Sequence, residues 1–101
     1  MKLSREEAVK EIQKRVDGAE DDIIQFLRDI VAIPSMNGEL KEVGDRIAIE
    51  MNKLGFEEVR FDKMGNIMGR IGSGKKVIVY DSHIDTVGIG NREEWDWDPF
   101  V

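Results

Sequence analysis

The chain has no cysteine and a single histidine among its 101 residues. The first absence excludes disulfides and thiolate ligands, so any bound metal must be held by His, Asp or Glu. The second is as restrictive, because a hydrolytic zinc site needs at least three protein ligands and only one imidazole is on offer. Long apolar runs are missing too. Nothing approaches the ~20 residues of a membrane span, and Met1 to Lys10 lacks the apolar stretch of a secretory signal. The cytoplasm is therefore the expected location, with no membrane partner. Positive charge is in short supply, with 15 Lys and Arg against 21 Asp and Glu, a formal net charge of -6. The summed field repels phosphates and no basic cluster opposes it, so nucleic acid is not an expected partner.

What is present suits one folded domain: 41% hydrophobic and 36% charged residues, in a length that leaves room for a single core. Ser4 and Glu7 have capping-box spacing, which predicts a helix over about 5–16 with an apolar stripe of Ala8, Val9, Ile12 and Val16. Asp17-Gly18 offers a stop and a fresh cap, with Glu20 three places on. A second helix over about 19–32 follows, its buried face formed by Ile23, Leu27, Ile30 and Val31, and Pro34 ends it. Leu40, Val43, Ile47, Met51 and Leu54 predict a third helix over about 39–54, closed by Gly55 as a left-handed cap.

Val59 and Phe61 alternate with charges, a turn is expected at Asp62 to Asn66, and Ile67 and Ile71 follow. This predicts a hairpin of strands about 57–62 and 66–71 with one buried face. The run Val77-Ile78-Val79-Tyr80 is apolar without alternation, which predicts a strand over about 76–81 buried on both faces of a mixed sheet. The fold class expected is α/β in three layers, helices packed on that sheet. Alone, the chain would leave the apolar strand with an unpaired edge, so homo-oligomerisation, edge pairing or low stability is expected.

His83 and Asp85 follow that run, at the strand edge where open α/β sheets bind ligands. Residues at i and i+2 of extended backbone project to one side, roughly 7 Å apart along the chain, close enough for a carboxylate to reach the imidazole. Such a carboxylate fixes the ring tautomer and turns the other nitrogen toward a metal. A hydrogen-bonded histidine at a strand end is the plainer alternative.

The stretch Ser82-His83-Ile84-Asp85-Thr86-Val87 resembles the signature of the dinuclear zinc amidohydrolases and exopeptidases, the family of acetylornithine deacetylase, succinyl-diaminopimelate desuccinylase, aminoacylase and related carboxypeptidases. The resemblance extends over residues 20–101. Phe26-Leu27, Ile30-Val31 and Ile33-Pro34-Ser35 are similar to the family's helix and Pro-Ser turn, and Leu54-Gly55-Phe56 to the end of its next helix. Gly65-Asn66 is similar to its hairpin and Trp97-Asp98-Pro99-Phe100 to its loop after the signature. The wording around Thr86-Val87-Gly88 and Gly90-Asn91 is nearest to a branch known as selenium-metabolism hydrolases. The resemblance implies that His83 ligates one of two zinc ions, with cobalt or manganese as alternatives, and that Asp85 orients it as part of the catalytic site. It implies a metal-bound water, a glutamate base and attack on the amide of an N-acyl amino acid or peptide. The family's bridging aspartate, paired glutamates and remaining ligands come later in sequence than Val101. The chain is thus expected to be the incomplete N-terminal part of a catalytic domain, inactive alone, with a non-enzymatic binding or self-assembling module that keeps the fold as the alternative.

Other motifs count for less. Gly69 to Lys76 matches most of a phosphate loop, but Lys76 stands where a hydroxyl should hold magnesium and no helix is expected after it. Glu93 and Glu94 are read as solvated loop residues. Trp95 and Trp97 are read as pins for a surface loop.

Overall fold

A computed structural model of the chain describes residues 2–101. Helix α1 (Arg5–Gly18) begins where the capping box places it. The Glu7 N–H donates to Ser4 Oγ at 3.1 Å and the Ser4 N–H donates to Glu7 Oε2 at 3.0 Å, so two backbone donors of the first turn are satisfied reciprocally. The fresh cap expected at Asp17 does not form. Asp17 lies inside α1, whose last turn continues until the Ala19 N–H meets the Arg15 and Val16 carbonyls. Helix α2 (Glu20–Val31) then starts without a side-chain cap, carried by three acidic residues in its first turn.

Helix α3 (Lys41–Lys53) ends in a Schellman motif. Gly55 adopts φ 84°, its N–H donates to the Asn52 carbonyl at 3.1 Å, and the Phe56 N–H donates to the Met51 carbonyl at 3.0 Å. The chain reverses into β1 (Glu58–Phe61), which pairs antiparallel with β2 (Ile67–Arg70) in the register Val59 opposite Gly69 and Phe61 opposite Ile67. Asp62 closes the turn between them. Its Oδ1 accepts from the Met64 and Asn66 N–H groups, both at 2.9 Å, and its Oδ2 accepts from Asn66 Nδ2 at 2.8 Å. These bonds hold the Asp62 carboxyl below its ordinary value, the Asn66 side chain contributing most.

Two glycines let α3 lie on the hairpin. A Cβ on Gly69 would come within 2.6 Å of the Phe56 ring and 2.7 Å of Met51 Sδ, and one on Gly44 within 3.2 Å of the Phe61 ring. Gly44 is otherwise costly inside a helix, so the contact accounts for its presence. Val43, beside it, is 1% exposed and forms the centre of the core. Helices α2 and α3 are joined by Arg46, which lies 5.2 Å from the Phe26 ring centroid and donates to Asp29 Oδ2 at 2.8 Å. That bond, with a second from Gln25, holds the Asp29 carboxyl below its ordinary range.

The described residues therefore form three helices and one two-stranded antiparallel sheet, a small mixed α/β unit. The strand expected at 76–81 is absent: these residues have no regular secondary structure and are exposed, Val77 and Tyr80 at 72% and 91%. The physical reason is the lack of a neighbouring strand, since a lone extended segment has no ladder to satisfy its backbone. The three-layer sheet is correspondingly not formed. Ile71 lies past the end of β2 and is exposed, while Met68 takes a half-buried position instead. The radius of gyration, 17.1 Å, exceeds the ~13 Å of a compact domain this long, in keeping with a helix α1 that buries no residue and an exposed segment after β2. No helix among the described residues is long and apolar enough to cross a membrane.

Candidate functional site

Residues 82–91 have no regular secondary structure, yet they are placed by specific contacts. Ser35, in the turn after α2, is completely buried. Its Oγ donates to the Ile84 carbonyl at 3.2 Å and lies 3.3 Å from Thr86 Oγ1, and its carbonyl accepts from the Thr86 N–H at 3.2 Å. On the far side, Trp95 Nε1 donates to the Ile89 carbonyl at 2.9 Å and meets Trp97 edge to face at 6.4 Å. Asn91 caps a short 3-10 helix (Arg92–Glu94), and Arg92 pairs with Asp98 at 3.5 Å. Pro99 and Phe100 border a recess against Leu27, Arg28 and Val31 of α2 and Ala32 just after it.

Within that frame His83 and Asp85 are in contact. His83 Nδ1 stands 3.0 Å from Asp85 Oδ1 and 3.0 Å from the Asp85 backbone oxygen. Two acceptors face one nitrogen, so the proton belongs on Nδ1 and the lone pair of the neutral ring on Nε2. The imidazole is 83% exposed. An outward-facing nitrogen with its tautomer set from behind is the arrangement found behind metal-ligating histidines. A metal centre needs more than this. Among the described residues no three His, Cys, Asp or Glu side chains are grouped to hold an ion, so these residues alone do not fit a zinc site, still less a pair of ions.

Glu93 and Glu94 are exposed on the 3-10 helix, away from any cluster of ligands. Gly69 belongs to β2, and residues 71–76 continue as exposed coil, so no helix N-terminus faces a phosphate and the loop is a connection. The sequence pattern singled out His83 and Asp85 but gave Ser35 no role of its own. A serine straight after the helix-stopping Pro34 is the signal available, and it says turn rather than anchor.

The chain is 48% identical over 91 residues to the uncharacterized protein YgeY of Escherichia coli (strain K12), a match covering 90% of this chain and 23% of that protein. It is 32% identical over 81 residues to succinyl-diaminopimelate desuccinylase of Bordetella avium, covering 78% of this chain and 22% of the relative. A probable succinyl-diaminopimelate desuccinylase of Staphylococcus aureus (strain Mu50) is 32% identical over 89 residues, covering 81% and 21%. The chain thus spans between a fifth and a quarter of the length of the curated relatives it matches. No family model matches, and no solved structure matches. The Bordetella and Staphylococcus relatives are named as desuccinylases, which supports a hydrolase family for this sequence.

Proposed function

We propose that these residues are the N-terminal part of a metal-dependent hydrolase of amide or peptide bonds, of the deacylase and exopeptidase kind. The observation that carries the reading is the His83–Asp85 pair, with Nδ1 held between two oxygens and Nε2 left open. In this reading His83 is one zinc ligand and Asp85 its orienting carboxylate, and the remaining ligands for two ions, zinc or else cobalt or manganese, come from chain beyond these residues. The substrate class is an N-acyl amino acid or peptide, in keeping with relatives named as desuccinylases. The run 76–81 becomes the central strand of a three-layer α/β domain once neighbouring strands are present, in a cytoplasmic protein.

The test is a protein of the relatives' length that carries this sequence. It should hydrolyse N-acyl amino acids or short peptides in a metal-dependent way. His83→Ala should cut kcat/KM by more than the roughly 10- to 100-fold expected for Asp85→Asn, because a ligand is lost rather than its support. Equal activity in wild type and His83→Ala overturns the reading. The 101-residue chain alone should be inactive.

One observation favours a second reading, a self-assembling module. Val77, Ile78, Val79 and Tyr80, rich in strand-forming residues and in no regular element, are all between 72% and 91% exposed, a template for pairing with a second copy. Sedimentation of the chain over a range of concentrations, with Val79→Lys as control, decides it. A dilute monomer in both proteins eliminates this reading.

A further inference from the structure

Ser35 does more than fill space. Of the two side chains buried to below 2% exposure among the described residues, Val43 is apolar and Ser35 is polar, and every polar group of Ser35 that reaches the 82–91 segment lands on the residues flanking Asp85. The Ile84 carbonyl, which accepts from Ser35 Oγ, belongs to the peptide unit entering Asp85. The Thr86 N–H, which donates to the Ser35 carbonyl at 3.2 Å, belongs to the peptide unit leaving it. Both peptide planes around Asp85 are therefore gripped by one residue. In a trans peptide the carbonyl points opposite to the N–H of the same unit. Holding the Thr86 N–H on Ser35 thus turns the Asp85 carbonyl the other way, where it meets His83 Nδ1 at 3.0 Å. Fixing both planes also fixes the direction of the Asp85 Cβ, and with it the carboxylate that reaches the same nitrogen.

We propose that Ser35 is a positioning residue for the His83–Asp85 pair, setting the imidazole tautomer through the two peptide units on either side of Asp85. The segment has no ladder to hold it, so the grip from the turn after α2 takes the place of strand pairing. The inference rests on the reading of His83 as the functional imidazole, and its test separates the two.

The experiment is nitrogen NMR of the His83 ring in the 101-residue chain at a pH where the imidazole is neutral, together with amide exchange at Thr86. Wild type should show the Nδ1–H form in excess and a protected Thr86 amide. Ser35→Ala keeps the backbone carbonyl that accepts from the Thr86 N–H but removes the Oγ bond to the Ile84 carbonyl, so it should lower the ratio of Nδ1–H to Nε2–H forms about three- to tenfold, the effect of one lost neutral hydrogen bond, and leave the Thr86 amide protected. Helical circular dichroism should be unchanged. If Ser35→Ala loses the fold, Thr86 decides: Thr86→Val, which removes the hydroxyl facing Ser35 Oγ, should lower the ratio, and Thr86→Ser should restore it. An unchanged ratio in the folded Ser35→Ala protein, or an equal ratio in Thr86→Val and Thr86→Ser, overturns the positioning role and leaves the reading of His83 standing. A wild-type ring already in the Nε2–H form overturns both, and does so before any variant is made.

Discussion

The stretch from α3 through β2 and the stretch after it are joined at Arg70 and obey different rules. In the first, apolar side chains meet: Val43 is sealed at 1% exposure, Phe56 and Met51 cover Gly69, and the turn at Asp62 closes on its own side chain. In the second, an apolar run of four residues, Val77 to Tyr80, stands in solvent, and order comes from a few polar bonds thrown across from Ser35 and Trp95. Hydrophobicity alone therefore does not decide burial here. A segment is buried when a complementary surface lies opposite, and α3 finds one in the hairpin while 77–80 finds none.

The contrast can be tested by paired substitutions. Gly69→Ala forces a methyl into the Phe56 ring and Met51 and should cost about 1 to 3 kcal/mol of overpacking, whereas Gly74→Ala, with open space around it, should change stability by less than about 0.5 kcal/mol. Urea unfolding measures both, and equal costs would erase the distinction. Val43→Ala should cost about 2 kcal/mol through the cavity it leaves, and Val79→Ala close to nothing, because its side chain is 81% exposed.

The smallest effect is the acid response. Asp62 and Asp29, both outside the later segment, have carboxyls held below their ordinary value of 3.8. A depressed folded value gives stability that is present above the ordinary value and is lost as pH falls through the folded one. Asp62→Asn should therefore be less stable than wild type at neutral pH, and the two should converge in acid below 3.8. A gap that is constant with pH would show that the Asp62 bonds do not favour its charged form.

Much of the chain up to the end of β2 was legible from sequence because its signals are local. The capping box at Ser4 and Glu7, the left-handed Gly55 and the Asp62–Asn66 turn each join residues no more than about five apart, and each is found in place. Where the local reading failed, a neighbour in the chain outweighed a propensity. Asp17 can cap a helix, but the backbone from Arg15 to Ala19 keeps its own bonds, and the carboxylate stays inside α1. The apolar run at 77–80 has strand composition but no strand to join, and composition cannot state whether a partner is present. Gly44 inside α3 gave no signal, because only the Phe61 ring across from it explains its lack of a side chain.

The candidate site divides in the same way. That a histidine and an aspartate two places apart can touch follows from backbone geometry, and the 3.0 Å contact is made. That a serine 49 residues before Ile84 and 51 before Thr86 would hold the peptide planes between them does not follow from any pattern of neighbours. By itself the sequence determined the capping box of α1, the Gly55 end of α3, the hairpin turn and the pairing of His83 with Asp85, because these rest on interactions within a few residues of one chain segment. Tertiary structure alone decided which glycines must stay bare, which apolar run lies open and what steadies the loop behind the imidazole, because those depend on surfaces brought together from distant parts of the chain.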